Sequence, residues 1–341
     1  MPPKVPANWS ELPDEELLGL RLSDLPLRIE GSVLESRIQQ LNAELEAREL
    51  RFPIHFYISN EWLTVDGSVS LAVPFYLTHP RLERLEQAQM LEVEGGDHDW
   101  CMRILRHEAG HVIDNAYRLA LRRRRRALFG PSSLPYPEYY DPRPYSKSFV
   151  LHIDPWYAQS HPDEDFAETF AVWLTPESNW RERYAGWPAL GKLVYMESLM
   201  SELRGKEPLV TSVSAADPLP QLRHTLAHHY RTKRRHQGID HPDFYDRDLR
   251  RLFSDAPEFD GNLTAAQFLS KIRRPVRQMV ASCTGIYQYT IDRVLEAMIA
   301  RSRELRLRLA VPEEQARIEF TVLLTVQTMN YLHSGRHRVA M

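Results

Sequence analysis

Cysteine is nearly absent: Cys101 and Cys283 are the only two in 341 residues, and they lie far apart. That excludes a disulfide framework and makes a reducing cytoplasm the simplest expected setting. Both thiols read as small buried hydrophobes rather than nucleophiles. Long apolar runs are missing too. No stretch approaches the roughly 18 to 20 residues that span a bilayer. The opening MPPKVPANWSELPDEELL has no apolar core behind a basic start, so it does not read as a secretory signal. The third absence is a large net charge. At −3, it gives no global reason to expect a nucleic-acid partner. No internal repeat or low-complexity segment stands out.

What remains is a globular composition, with 43% hydrophobic and 26% charged residues. The length suggests one large domain plus a smaller appendage. Residues 1–32 are rich in proline and read as an irregular arm or short helices. Over 33–49, Val33, Ile38, Leu41 and Leu45 recur at helical spacing. The period then changes. IHFYIS and SVSLAV run in β-branched and aromatic residues about a VDGS turn at 65–68, which predicts two or three strands of a small sheet. A helix over about 79–90 precedes the strongest helical segment, 99–122, which Asp97 or Asp99 can cap. The five arginines 122–126 close that helix and read as a solvated face favouring the negative end of its dipole. A loop rich in Pro and Tyr follows (131–145), and another helix starts near Asp163. The AADPLP segment (215–220) reads as a linker. Beyond it the chain is largely helical, with 264–309 and 313–332 as the longest candidates.

The chemistry is carried by HEAGH at 107–111. Residues four apart on a helix share a face, so His107 and His111 can aim at one ion, with Glu108 beside it. Zinc lowers the pKa of a bound water toward about 7, and a neighbouring carboxylate can take the proton as the water attacks a carbonyl. Ala109 and Gly110 are small enough to let another element approach the helix closely. The motif is short enough to arise by chance, so its context matters. A catalytic zinc takes three protein ligands and keeps one position open. The pattern with a glycine three residues after the second His, and a ligand three further on, is not met: Asp114 and Tyr117 stand there. A glutamate on a later helix is offered instead, 53 residues downstream in HPDEDFAETFAVWL.

HEAGHVIDNAYRL followed by WYAQSHPDEDFAETFAVWLTP resembles a family of zinc-binding metallopeptidases of the gluzincin kind. The ExFAExF core also resembles the second zinc helix of anthrax lethal factor and related zincins. The resemblance covers roughly 33–200. It implies an α+β zincin-like core over 33–215 with a mainly helical region over 216–341. It implies one Zn2+ per chain on His107, His111 and Glu164, with Glu108 as general base. Glu168 is then the orienting residue that accepts a hydrogen bond from a ligating histidine. The residues themselves leave two alternatives open: Glu168 as the ligand, and Glu164 as first-turn helix chemistry behind an Asp163 cap. The resemblance also points Tyr157 into the site as an oxyanion or proton-donating group. His161 competes for that contact, and Asp114 reads as a polar position at the helix edge.

The expected function is peptide-bond hydrolysis, with a peptide or protein substrate lying along the sheet edge. Two alternatives are a zinc-binding interaction protein without general peptidase activity and a processing protease specific for one partner. A second metal site at His224, His228 and His229 is not expected, because the surrounding basic residues repel a cation.

Overall fold

The structure is a computed structural model that describes residues 5–90, 92–137, 139–140, 143, 146–153, 156–237, 246–333 and 339–340. It is mixed α+β, and the chain divides into two compact units between Arg231 and Thr232. The longer elements are labelled below in chain order.

In the first unit, Trp9, Leu17, Leu22 and Leu25 of the N-terminal arm are buried. The amides of Leu22 and Ser23 donate to the carbonyls of His224 and Leu222. Helix α1 (Val33–Ala47) buries Leu34, Ile38, Leu41 and Leu45 on one face. Leu34 rather than Val33 begins that stripe, since Val33 is 44% exposed. Strand β1 (His55–Ser59) runs parallel to β3 (Ser70–Pro74). Strand β2 (Leu63–Thr64) pairs antiparallel on the other side of β3, giving the order β1-β3-β2. Every residue of β3 is buried, as its central place requires. The 65–68 turn joins β2 to β3 and leaves β2 at the sheet edge.

Helix α2 (Pro80–Met90) leads to α3 (His98–Tyr117), whose first turn is capped by the Asp97 carboxylate accepting from the Trp100 amide at 2.8 Å. The helix stops sooner than its sequence suggests. Arg118 takes a left-handed conformation (φ 52°), and the arginines begin a separate helix, α4 (Arg123–Phe129). Arg123, Arg124 and Arg126 are exposed, as a solvated face requires, but Arg125 is completely buried.

Helix α5 (Pro162–Leu174) starts with proline at its first position and three acidic residues in its first turn, both suited to a helix N-terminus. Its residues from Glu164 to Leu174 are all buried. It crosses α3 at Gly110, where a Cβ would lie only 2.8 Å from the Ala167 Cα. That contact is the close approach expected of the small residues in HEAGH. Helix α6 (Ala189–Leu203) packs behind α5, with Lys192 Nζ 2.6 Å from Asp165 Oδ2.

The second unit is mainly helical. Helix α7 (Asp246–Leu252) precedes β4 (Phe253–Ser254), which pairs antiparallel with β5 (Arg308–Leu309). The stretch expected as one helix over 264–309 is two, α8 (Ala265–Thr284) and α9 (Gln288–Glu304), divided at Gly285 in left-handed conformation (φ 70°). Arg277 Nη1 lies 2.9 Å from Asp292 Oδ1 and ties the two together. With α10 (Glu313–His333), these helices bury Phe253, Phe268, Leu295, Met298, Phe320 and Leu324. Cys101 is buried, but Cys283 is exposed and so departs from the core role expected of it. Among the described residues, no helix is long and apolar enough to cross a membrane.

Candidate metal centre

Helices α3 and α5 bring three ligand atoms together. Glu164 Oε2 lies 2.9 Å from His107 Nε2 and 3.1 Å from His111 Nε2, and the two imidazole nitrogens are themselves 3.1 Å apart. Among the described residues, this is the group of His, Cys, Asp or Glu side chains whose ligand atoms converge as a metal site requires. Ligands held about 2.1 Å from a tetrahedral zinc lie about 3.4 Å from one another. The triangle therefore needs to open by only a few tenths of an ångström to fit the ion.

The electrostatics fit as well. Burial alone would lower the pKa of His107 and His111 and raise that of Glu164. Their mutual contacts outweigh it, so both imidazoles are pulled up and Glu164 is held well below the ordinary carboxylate range. The pocket thus favours a positive charge at the centre of the triangle, which a cation would supply. Two imidazole nitrogens and a carboxylate oxygen are the donors of a catalytic zinc with an open fourth position.

Groups behind the triangle hold each ligand in place. His107 Nδ1 donates to Glu168 Oε1 at 2.8 Å, which leaves Nε2 as the face turned inward. The other oxygen of Glu168 accepts from the Ile153 amide at 2.8 Å, and Glu168 is fully buried. The two carboxylates one turn apart on α5 therefore have different surroundings: Glu164 faces both histidines, and Glu168 backs one of them. The distal oxygen of Glu164 accepts from the Tyr136 hydroxyl at 2.8 Å. Burial, followed by the Glu164 charge, pushes the Tyr136 pKa up and keeps the phenol a donor.

Glu108 is nearly buried beside the triangle, and its Oε2 accepts from Thr64 Oγ1 at 2.7 Å. Thr64 belongs to the edge strand β2, so the sheet edge and this carboxylate are in direct contact. Tyr157 follows Trp156, which is left-handed (φ 61°), and its ring centre is 5.5 Å from that of His107. Burial and the nearby Glu164 and Glu108 carboxylates raise its pKa well above the ordinary phenol value.

His161 serves the helix. Its Nδ1 accepts from the Asp163 amide at 3.2 Å as the cap of α5, and its Nε2 donates to the Leu134 carbonyl at 3.0 Å. Both nitrogens are committed, so it offers no free group to an oxyanion. Asp163 is not the cap. Its carboxylate is 2.5 Å from Arg125 Nη2, which also lies 2.8 Å from Asp114 Oδ2. Asp114 is therefore no edge residue, because it joins α3 to α4 through a buried arginine. Arg125, Tyr136 and Thr64 were not singled out as parts of this site in the sequence. Their partners lie 11 to 44 residues away, and no periodicity marks such contacts.

No curated protein and no solved structure matches the chain. Residues 102–179, which carry most of α3, all of α5 and every residue of the ligand triangle, match the model of a family described as "putative zinc-binding metallo-peptidase", the family that HEAGH and DFAETF resemble.

Proposed function

We propose that this chain is a zinc-dependent peptidase of the gluzincin kind, holding one zinc ion per chain on His107, His111 and Glu164. The observation that carries this reading is the convergence of the two Nε2 atoms and Glu164 Oε2 within 3.1 Å, with Glu168 fixing His107 from behind. Zinc in such a site supplies a Lewis acid that polarises a carbonyl and brings the pKa of a water down to about 7.

The chain's own residues do the rest. Glu108 takes the proton of the attacking water and returns it to the departing amine. Thr64 holds one Glu108 oxygen and so fixes the direction of the carboxylate. Tyr157 offers its hydroxyl to the oxyanion that develops on the scissile carbonyl. Its raised pKa keeps that proton in place at neutral pH. An extended peptide or protein segment would add main-chain hydrogen bonds along β2, whose Thr64 touches Glu108.

The test is Glu108→Gln, assayed by mass spectrometry on a mixed peptide library with zinc content measured in parallel. The expected result is unchanged zinc and turnover lower by about 10²- to 10⁴-fold. Full turnover in the variant would overturn the assignment of Glu108, and a wild type that takes up no zinc would overturn the whole reading.

A further inference from the structure

The two oxygens of Glu164 have separate partners. Oε2 faces His107 and His111, whereas Oε1 accepts from the Tyr136 hydroxyl. The tyrosine is well supported for this. Its ring stacks on His161 with centres 3.9 Å apart and planes 19° apart. His161 in turn is fixed to Leu134 on the same loop and to the start of α5. The hydroxyl therefore reaches the carboxylate from a platform anchored to the helix that carries Glu164. Ser132, on the same loop, donates to Asp163 and adds a second tie.

A carboxylate can grip zinc with one oxygen or with both. Gripping with both adds a fifth donor beside the water of a catalytic site and crowds the position that water holds. Resting on the zinc-site reading above, we propose that Tyr136 is a positioning residue: its hydroxyl holds Glu164 Oε1 away from the ion, keeps the ligand one-handed and leaves the fourth position open. Burial leaves Glu164 few other donors, so removing this one frees Oε1 to turn inward.

The experiment replaces zinc with cobalt in the purified full-length protein and compares wild type with Tyr136→Phe and Tyr136→Leu. Phenylalanine keeps the ring stack and removes only the hydroxyl, while leucine removes both. The visible absorption of cobalt is intense at four-coordinate sites and weak at five- or six-coordinate ones, and it reports on the ion whether or not a substrate is known. The expected result is a several-fold fall in cobalt absorbance for both variants, together with about 10- to 100-fold weaker zinc binding. Wild-type intensity in Tyr136→Phe, with a fall only in Tyr136→Leu, would mean that the ring alone matters and would overturn the proposal. Unchanged spectra in both would do the same while leaving the zinc site intact. A wild type that binds neither metal would overturn this inference and the function it rests on together.

Discussion

Among the described residues, two histidine pairs have the same spacing of four, and one of them converges with a carboxylate as a metal site requires. His107 and His111 sit on consecutive turns of α3 with their Nε2 atoms 3.1 Å apart. His224 and His228 have ring centres 5.5 Å apart, but His224 precedes the helix Leu226–Gln237, so the pair does not share a helical face. What flanks each pair differs more. Glu164 and Glu168 press on the first from α5. The second has His229 and the Phe75 ring nearby, and burial followed by the neighbouring His228 lowers the pKa of His224. Spacing brings imidazoles together, but carboxylates from a second element make the cluster attractive to a cation.

The largest effect that could break this comparison is on metal content. His107→Ala should lose stoichiometric zinc, measured by plasma mass spectrometry on the purified protein, whereas His228→Ala should keep about one ion per chain. Equal loss in both would place the metal elsewhere.

A smaller effect separates the two carboxylates. Glu168→Ala should weaken zinc binding about 10- to 100-fold, as removal of a ligand's hydrogen-bond partner does. Glu164→Ala should abolish it. Competition with a chromogenic chelator measures both, and the reverse order would exchange their roles.

The smallest effect concerns the contact that brings α5 to α3. A glycine in a helix is ordinarily about 0.5–1 kcal/mol worse than alanine. At Gly191 of α6 nothing lies within 4 Å of an added methyl, so Gly191→Ala should stabilise by about that amount. At Gly110 the methyl meets backbone atoms of Ala167. Overpacking of about 1–3 kcal/mol should outweigh the gain and make Gly110→Ala destabilising. Urea midpoints give both signs, and a stabilised Gly110→Ala would mean that the helices do not touch there.

The part of the site legible in sequence was the part written in helical spacing. HEAGH and the small residues at 109 and 110 follow from which residues share a helix face, whereas the roles of Glu164 and Glu168 come from the family resemblance. The sheet was legible as strands but not as a topology. The 65–68 turn pairs β2 with β3, while β1 joins β3 in parallel through a crossing that no local signal encodes. The end of α3 was misjudged because Arg118 adopts a backbone conformation that favours glycine, and a run of arginines is good helix material on its own. His161 displaced Asp163 as the cap because Arg125, 38 residues away, engages the aspartate. Tyr136 lay in a proline-rich loop where one tyrosine looks like another until its partner is seen.

The buried Arg125 has a consequence for the order in which the protein is made ready. By gripping Asp114, Asp163, Ser132 and the Gly130 carbonyl, it fastens the start of α5 to the end of α3. Glu168 and Tyr136 fix His107 and Glu164 in the same way. All of these ties are made by the chain's own side chains. Small zinc-finger domains collapse when their metal is removed. If the proposed site holds zinc, the ion would add an increment of stability that follows its free concentration, about 2.7 kcal/mol at a hundredfold excess over Kd. On the proposed zinc site, the chain would be a standing receptor whose occupancy follows the free zinc concentration.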